Sequence, residues 1–266
     1  MQKEFIATKN IYRYNKPELA KQIINGQGYG FSRQKYHYIK KENKLIPQYL
    51  IQYIRNRLWN LNQNFTCIIQ GPPGTGKSWS SLSIALSVDP YFPIQRCIFS
   101  SDEFVDIVRS EPPKGSAIVF EEAGVGLNNL NFWSANNQSA NKILQTYRRQ
   151  NLCLILNSPV GAFIDAKTLR LIDCEMTTSG INRKERYCRL NFNFLFPNYY
   201  KKKEVYRNPL KVYNTKTMSW DYCNELNVFS PPKSLLNAYE EKKISFTRSL
   251  NKKISDELSQ KQVFIK

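Results

Sequence analysis

Eight residues, Gly71-Pro-Pro-Gly-Thr-Gly-Lys-Ser78, carry the clearest chemistry in this chain of 266 residues. They match GxxxxGK[ST] at every fixed position, and average residue usage puts a chance match in such a chain at about one in a hundred. Gly71, Gly74 and Gly76 let the backbone curl until several N–H groups converge, and a helix N-terminus behind them adds positive potential. That combination suits a row of phosphates. Lys77 is expected to reach the β- and γ-phosphates of ATP, and the Ser78 hydroxyl to coordinate Mg2+. Pro72, Pro73, Thr75 and Trp79 complete the stretch expected to line the nucleotide.

A phosphate loop of this kind needs an acid at the end of a neighbouring strand to hold the metal's hydration shell. Ala117–Phe120 reads as that strand, and Glu121 and Glu122 follow it. Glu121 is the expected metal-associated acid, and Glu122 is expected to polarise the attacking water. Asn157, after the apolar run Leu152–Leu156, is a candidate for orienting the water or sensing the γ-phosphate. Arg148 and Arg149 precede that run, and either is a candidate arginine finger toward a neighbouring subunit. For each there is a plainer alternative: a turn-forming Asn-Ser-Pro, and solvated arginines.

Elements at helical or strand spacing must position these groups. Leu50, Ile51, Ile54 and Leu58 predict a helix over Pro47–Trp59, and Phe65–Gln70 predicts a strand that runs into the glycines. A helix is expected from the loop to Val88, stopped by Asp89-Pro90. A second strand is expected over Arg96–Ser100, then a helix capped by Ser101 that runs to Arg109. A further helix over about 137–147 should precede the Leu152–Leu156 strand. Alternating strands and helices imply crossovers and an α/β fold, a mainly parallel sheet between helices. Cys174–Thr178 and Arg186–Phe196 then read as an antiparallel hairpin joined through SGINRK. Beyond Pro197 the chain reads as basic and irregular, ending in a polar helical tail with Leu236, Ile244, Leu250, Ile254 and Leu258 scattered through it. The expected organisation is an arm over 1–45, an ATPase core over 46–196 and a basic tail over 197–266.

Charge adds a partner. Residues 1–60 hold 12 Lys/Arg against 3 Asp/Glu, residues 61–180 hold 9 against 10, and residues 181–266 hold 18 against 8, which together give +18. A near-neutral middle between two basic flanks favours a polyanion, with nucleic acid first and an anionic membrane surface second. In the arm, Arg33, Lys35, Lys40 and Lys41 alternate with Tyr36, His37 and Tyr38, a pattern that suits base stacking or, equally, packing onto the domain. Six scattered cysteines with no CxxC pair, and one histidine, exclude a Cys/His zinc site and argue for reduced thiols in a cytoplasmic chain. No apolar run is long enough to span a bilayer, and MQKEFIATKN does not read as a signal peptide.

The string FEEAG at 120–124 resembles the DEAG-type acidic motif of certain P-loop ATPases. LQTYRRQNLCLILNSP, followed by FIDAKTLRLID, resembles their arginine-bearing helix end, sensor strand and Asp-then-Arg segment. In these features the chain is similar to the HerA/FtsK group of additional-strand ATPases. The nearer likeness is to zonular-occludens-toxin-like proteins and the ATPases of archaeal viruses and plasmids. The resemblance covers about residues 60–195. It implies rings, often hexamers, that use ATP to move DNA in packaging, segregation or conjugation, in a prokaryotic or virus-infected cell. By position, Lys77 and Ser78 would bind nucleotide and metal, Glu121 and Glu122 form the acidic pair, and Asn157 acts as sensor. This chain has Glu121 where the group has Asp, and Asn157 where it often has Gln. Many toxin-like relatives carry a transmembrane segment, which is absent here. Two alternatives remain open: an AAA+ type loader or remodeller, which should follow its core with a helical lid, and a nucleotide-gated DNA-binding protein with little turnover.

Overall fold

Strands buried on both faces read as unbroken apolar runs, and four such runs build the centre of this molecule. A computed structural model describes residues 5–7, 47–121, 147–159, 170–198, 205–214 and 219–263. The elements are β1 (Phe5–Ala7), α1 (Pro47–Trp59), β2 (Phe65–Gln70), α2 (Lys77–Val88), β3 (Cys97–Ile98), α3 (Ser101–Arg109), β4 (Ala117–Glu121) and β5 (Cys153–Ser158). They continue with β6 (Cys174–Asn182), β7 (Tyr187–Pro197), β8 (Val205–Asn208), β9 (Leu210–Asn214), β10 (Ser219–Cys223), β11 (Glu225–Phe229) and α4 (Lys233–Val263). The chain divides into two compact units, Met1–Pro231 and Pro232–Lys266.

The first unit is a mixed α/β structure. Its eight-stranded sheet runs β11-β7-β6-β2-β5-β4-β3, with β8 also paired to β7. Pairings from β6 through β2, β5 and β4 to β3 are parallel. Those of β7 with β6, β11 and β8 are antiparallel. A second sheet pairs β1, β9 and β10 antiparallel. Because β5 lies between β2 and β4, whatever follows β2 meets the end of β4 only across β5.

The strand period sorts side chains between two faces. On one, Ile68, Ile98, Ile118, Phe120, Leu154 and Leu156 join Phe104 and Val108 of α3 in a closed core. On the other, α2 packs against β4 and β5 and touches α1. Residues Ser80–Val88 of α2 are all buried, among them four serines. Small side chains let a helix lie this close to a sheet. Three of their hydroxyls bond back to the preceding turn, among them Ser80 Oγ to the Gly76 carbonyl at 2.9 Å and Ser87 Oγ to that of Ser83 at 2.7 Å. Arg55 of α1 is buried and donates to the Ser87 and Val88 carbonyls at 2.6 and 3.2 Å. A fixed cation thus meets the negative end of the α2 dipole.

Several expected boundaries move. The strand expected over Arg96–Ser100 is only Cys97–Ile98, because Ile94–Arg96 forms a 3-10 turn with Arg96 bonded to Asp89 at 2.5 Å. Ser100, not Ser101, caps α3. Its hydroxyl accepts from the Glu103 N–H, while the Glu103 carboxylate accepts from the Phe99 N–H at 2.7 Å. The strand expected over Leu152–Leu156 is Cys153–Ser158, so Asn157 lies within it rather than after it. The first hairpin strand runs on to Asn182 rather than Thr178, the second is shifted by one residue to Tyr187–Pro197, and they are joined by Arg183–Arg186 instead of SGINRK. Gly180, which reads as a turn residue, sits inside β6 at a register shift.

The stretch beyond Pro197 is not irregular. Its described residues supply β8 to β11, short strands of which β8 pairs with the preceding β7 and β9 with the following β10, while β9 also meets β1 and β11 returns to β7. The helix expected over about 137–147 lies outside the described residues except at Tyr147, as does the basic-aromatic run of the arm. Five cysteines, Cys67, Cys97, Cys153, Cys174 and Cys188, are free and buried. Burial pushes the thiols of Cys67, Cys153 and Cys174 above their ordinary range.

The second unit is α4, a helix of 31 residues and about 46 Å at 1.5 Å per residue. Ile244 and Ile254 on it are exposed, and Lys243 Nζ stands 5.7 Å from the Tyr239 ring centroid. Among the described residues no helix is long and apolar enough to cross a membrane.

Candidate nucleotide site

Parallel strands present their carboxyl ends at one edge of a sheet, and open α/β sheets bind ligands there. The Gly71–Ser78 loop leaves β2 at that edge, Glu121 closes β4, and Asn157 sits directly opposite Glu121 in the register of β4 with β5. Thr178 of β6 flanks the loop from the other side, one position past the Gln70–Thr177 pair.

The loop has a defined shape. Gly74 and Gly76 hold φ of 75° and 99°, and Gly76 is the left-handed cap of α2. Such angles favour glycine. Space forbids a side chain as well. A Cβ at Gly76 would lie 2.9 Å from both Cys188 Sγ and Ile181 Cγ1, and one at Gly71 would lie 1.8 Å from Thr178 Oγ1. The Thr75 hydroxyl donates to the Pro72 carbonyl at 2.7 Å and lies 2.6 Å from Thr178 Oγ1, which also bonds the Gln70 carbonyl at 3.2 Å. Cys188 Sγ donates to the Thr75 carbonyl at 3.2 Å, and burial raises its thiol above the ordinary range. The loop therefore rests on the β6–β7 hairpin. Among the described residues, the backbone N–H groups of Gly74, Thr75 and Gly76 meet no acceptor. Lys77 Nζ donates to the carbonyls of Gly71 and Pro72 at 2.6 and 2.9 Å.

A second cluster joins three elements. Asn157 Nδ2 donates to Glu121 Oε1 at 2.7 Å and to Ser81 Oγ at 2.8 Å. Ser81 Oγ in turn donates to the Ser78 carbonyl at 3.1 Å. Asn157 is 4% exposed and Glu121 7%. An ionised carboxylate accepts only, which fixes the amide nitrogen toward Glu121 and leaves Asn157 Oδ1 buried with no partner among the described residues. An orphaned buried acceptor of this kind suits a water hydrogen. A run of hydrogen bonds thus links α2 just behind the loop to the acid at the end of β4.

The expected site residues are not all brought together. Gly71, Pro72, Pro73, Gly74, Thr75, Gly76, Lys77, Ser78, Glu121 and Asn157 gather at the carboxyl edge, with Trp79 half-buried in the first turn of α2. Glu122 lies outside the described residues. Arg148 and Arg149 belong to a 3-10 turn that precedes β5. This turn sits at the opposite edge of the sheet, where Tyr147 donates to the Phe65 and Leu152 carbonyls at 3.1 and 2.8 Å. Six strand residues separate the edges, about 20 Å. Arg149 is exposed there and does not reach its own chain's loop, and the Arg148 side chain is outside the described residues.

Ser81, Thr178 and Cys188 are the participants that sequence reasoning missed. Ser81 follows Lys77 by one helical turn, a spacing that carries a usable signal. Thr178 and Cys188 are 103 and 113 residues from the groups they touch, and carry none.

The residues present fit a nucleotide with Mg2+. Three unengaged N–H donors at a helix N-terminus suit phosphate oxygens. Ser78 and Glu121 bring a hydroxyl and a carboxylate to this edge. Among the described residues no three His, Cys, Asp or Glu side chains cluster to hold a metal by themselves. Mg2+ commonly takes only one or two protein ligands beside phosphate and water.

No family model matches the chain, and no curated protein is similar to it. Among solved structures, it is similar to the N-terminal domain of zonular occludens toxin from Neisseria meningitidis, at 15% identity and a TM-score of 0.35, over 66% of this chain and 98% of that one. It is also similar to the genome packaging NTPase B204 from Sulfolobus turreted icosahedral virus 2 in complex with ATP-gammaS, at 10% identity and a TM-score of 0.32, over 64% of this chain and 98% of that one. Both resemblances are remote. At such values the functional reading stands on the site's own geometry.

Proposed function

We propose that the chain is an ATP-hydrolysing DNA translocase or packaging-type motor of a virus, plasmid or other mobile element, working as a homo-oligomeric ring. One observation carries the ATPase half: the glycine loop with its free N–H donors and the Ser81–Asn157–Glu121 chain occupy the same sheet edge. The DNA half rests on the basic flanks, +9 over residues 1–60 and +10 over 181–266.

The roles divide by chemistry. Backbone donors of the loop and Lys77 would bind phosphate oxygens, and Lys77 exchanges its bonds to the Gly71 and Pro72 carbonyls for them. Ser78 and Glu121 would hold Mg2+, which when bound would supply neutralisation of phosphate charge. Asn157 Oδ1 would accept a hydrogen from the attacking water, while Nδ2 keeps Glu121 aimed. Glu122 is the proposed group that polarises this water. Arg149, at the far edge of its own sheet, is a candidate only toward a neighbouring subunit. The same holds for Arg148, which precedes it in the turn.

An AAA+ loader fits less well. The described residues between Cys174 and Phe229 are strands and their connections, where that class calls for a helical lid. A binding protein with little turnover is favoured by one feature, the longer Glu121 in place of Asp. Mg-ATPase assays with and without DNA across a range of salt separate these readings. The expected result is DNA-stimulated hydrolysis that weakens steeply as salt rises, and that Lys77→Ala abolishes with the fold intact. Stoichiometric ATP binding with no turnover, with or without DNA, selects the binding protein. Hydrolysis indifferent to DNA counts against the motor.

A further inference from the structure

β6 runs parallel to β2 only as far as the Gln70–Thr177 pair. Its last five residues, Thr178–Asn182, continue past the carboxyl edge and pair with β7 through Gly180–Arg189, Ile181–Cys188 and Asn182–Tyr187. At about 3.3 Å per residue the hairpin continues about 16 Å past the end of β2, with β11 paired alongside β7 as far as Phe229–Tyr187. Ile181 and Cys188 bracket Gly76 of the phosphate loop on the way. Two positions further on, the turn Arg183-Lys184-Glu185-Arg186 carries three cations and one acid, and all four residues are exposed.

This turn is held in place. Asn182 Oδ1 accepts from the Glu185 N–H at 3.0 Å, the Ser230 N–H donates to the Arg186 carbonyl at 2.8 Å, and the Tyr187 and Phe229 rings meet edge to face at 5.8 Å. Among the described residues, the side chains of Arg183, Lys184 and Arg186 have no hydrogen-bond or ion-pair partner. Three exposed cations held close together on an ordered turn, against one acid, raise the local concentration of an anion.

We infer that the tip of the β6–β7 hairpin is a nucleic-acid contact, in which Arg183, Lys184 and Arg186 engage backbone phosphates. The inference rests on the DNA reading above and names the surface that performs it. Backbone contact suits these residues, since long, exposed cations follow a phosphate track without reading bases. It also explains the hairpin's place. The strands that carry the tip are the ones that meet Thr75 through Thr178 and Cys188, so the polyanion and the nucleotide lean on one element.

The test is binding of labelled DNA to the full chain without nucleotide, over a series of salt concentrations. It compares wild type, Arg183→Ala/Lys184→Ala/Arg186→Ala, and the charge-matched control Lys233→Ala/Arg248→Ala/Lys252→Ala on α4. Loss of three phosphate contacts should lower the slope of log affinity against log salt by about 2–3. Affinity at low salt should fall tenfold or more for the tip variant and far less for the control. Basal ATPase without DNA should stay at the wild-type level, because no tip residue belongs to the nucleotide site. Equal affinity and slope in wild type and tip variant overturn the inference while leaving the motor reading standing, and so does an equal loss in the control. A tip variant that changes particle mass but not DNA affinity makes the tip a subunit contact and overturns it too. Wild-type protein that fails to bind DNA at all overturns both.

Discussion

The two halves of the main sheet hold the phosphate loop by different means. On the β2–β5–β4 side, strands packed on both faces place Glu121 and Asn157, and burial does the positioning. On the β6–β7 side, the loop is met by one hydroxyl and one thiol, Thr178 and Cys188, from a hairpin whose turn, Arg183–Arg186, is polar and exposed. Groups assigned to chemistry sit where the core cannot shift. Groups that support the loop sit on the element that reaches beyond it. Changes on the first side should therefore alter turnover or stability, and changes on the second should alter nucleotide affinity.

Gly71→Ala sharpens this contrast most. Its new Cβ would lie 1.8 Å from Thr178 Oγ1, so the loop must leave the hairpin. Nucleotide affinity should fall a hundredfold or more by calorimetric titration, about 2.7 kcal/mol. Removing the obstructing hydroxyl with Thr178→Ala in the same chain should recover part of it. No recovery would mean that the hairpin does not shape the loop.

Arg55→Met tests the buried side. The variant keeps the volume and withdraws the cation from the Ser87 and Val88 carbonyls. Stability should drop by about 2–3 kcal/mol in urea unfolding, with the denaturant slope unchanged. An unshifted midpoint would show that α2 needs no anchor at that end.

Asn157→Ala should act on rate. With Glu121 and Ser81 left without their shared donor, kcat should fall about tenfold to a hundredfold, or about 1.4–2.7 kcal/mol, with KM little changed. A change confined to KM would move Asn157 to the binding side of the comparison. The smallest effect belongs to Ser100→Ala, which removes the α3 cap far from the loop and should cost about 1 kcal/mol in thermal or urea unfolding at full activity.

Much of the buried half is legible in the sequence. α1, β2 and α2 begin and end where the apolar spacing and Asp89-Pro90 put them, because strands covered on both faces must be apolar runs and proline ends helices. The acid at the end of β4 follows from the same logic. The supporting half is less legible. Gly180 reads as a turn yet lies within β6, where the register shift absorbs it. β8 is polar and exposed, and its pairing with β7 does the ordering that its own pattern does not declare. Adjacent serines at 100 and 101 carry equal capping propensity, and only the Glu103 contacts choose between them. The remoteness of Arg149 from the loop follows from which end of β5 it precedes, a fact of strand direction rather than composition.

Direct titration of Mg-ATP into wild type and Lys77→Ala tests the central claim, that the Gly71–Ser78 turn is a triphosphate site. The result expected is one site per chain in wild type and at least hundredfold weaker binding in a variant with unchanged unfolding behaviour. Equal affinity in the two proteins, or folded wild type that takes up no nucleotide, would contradict it.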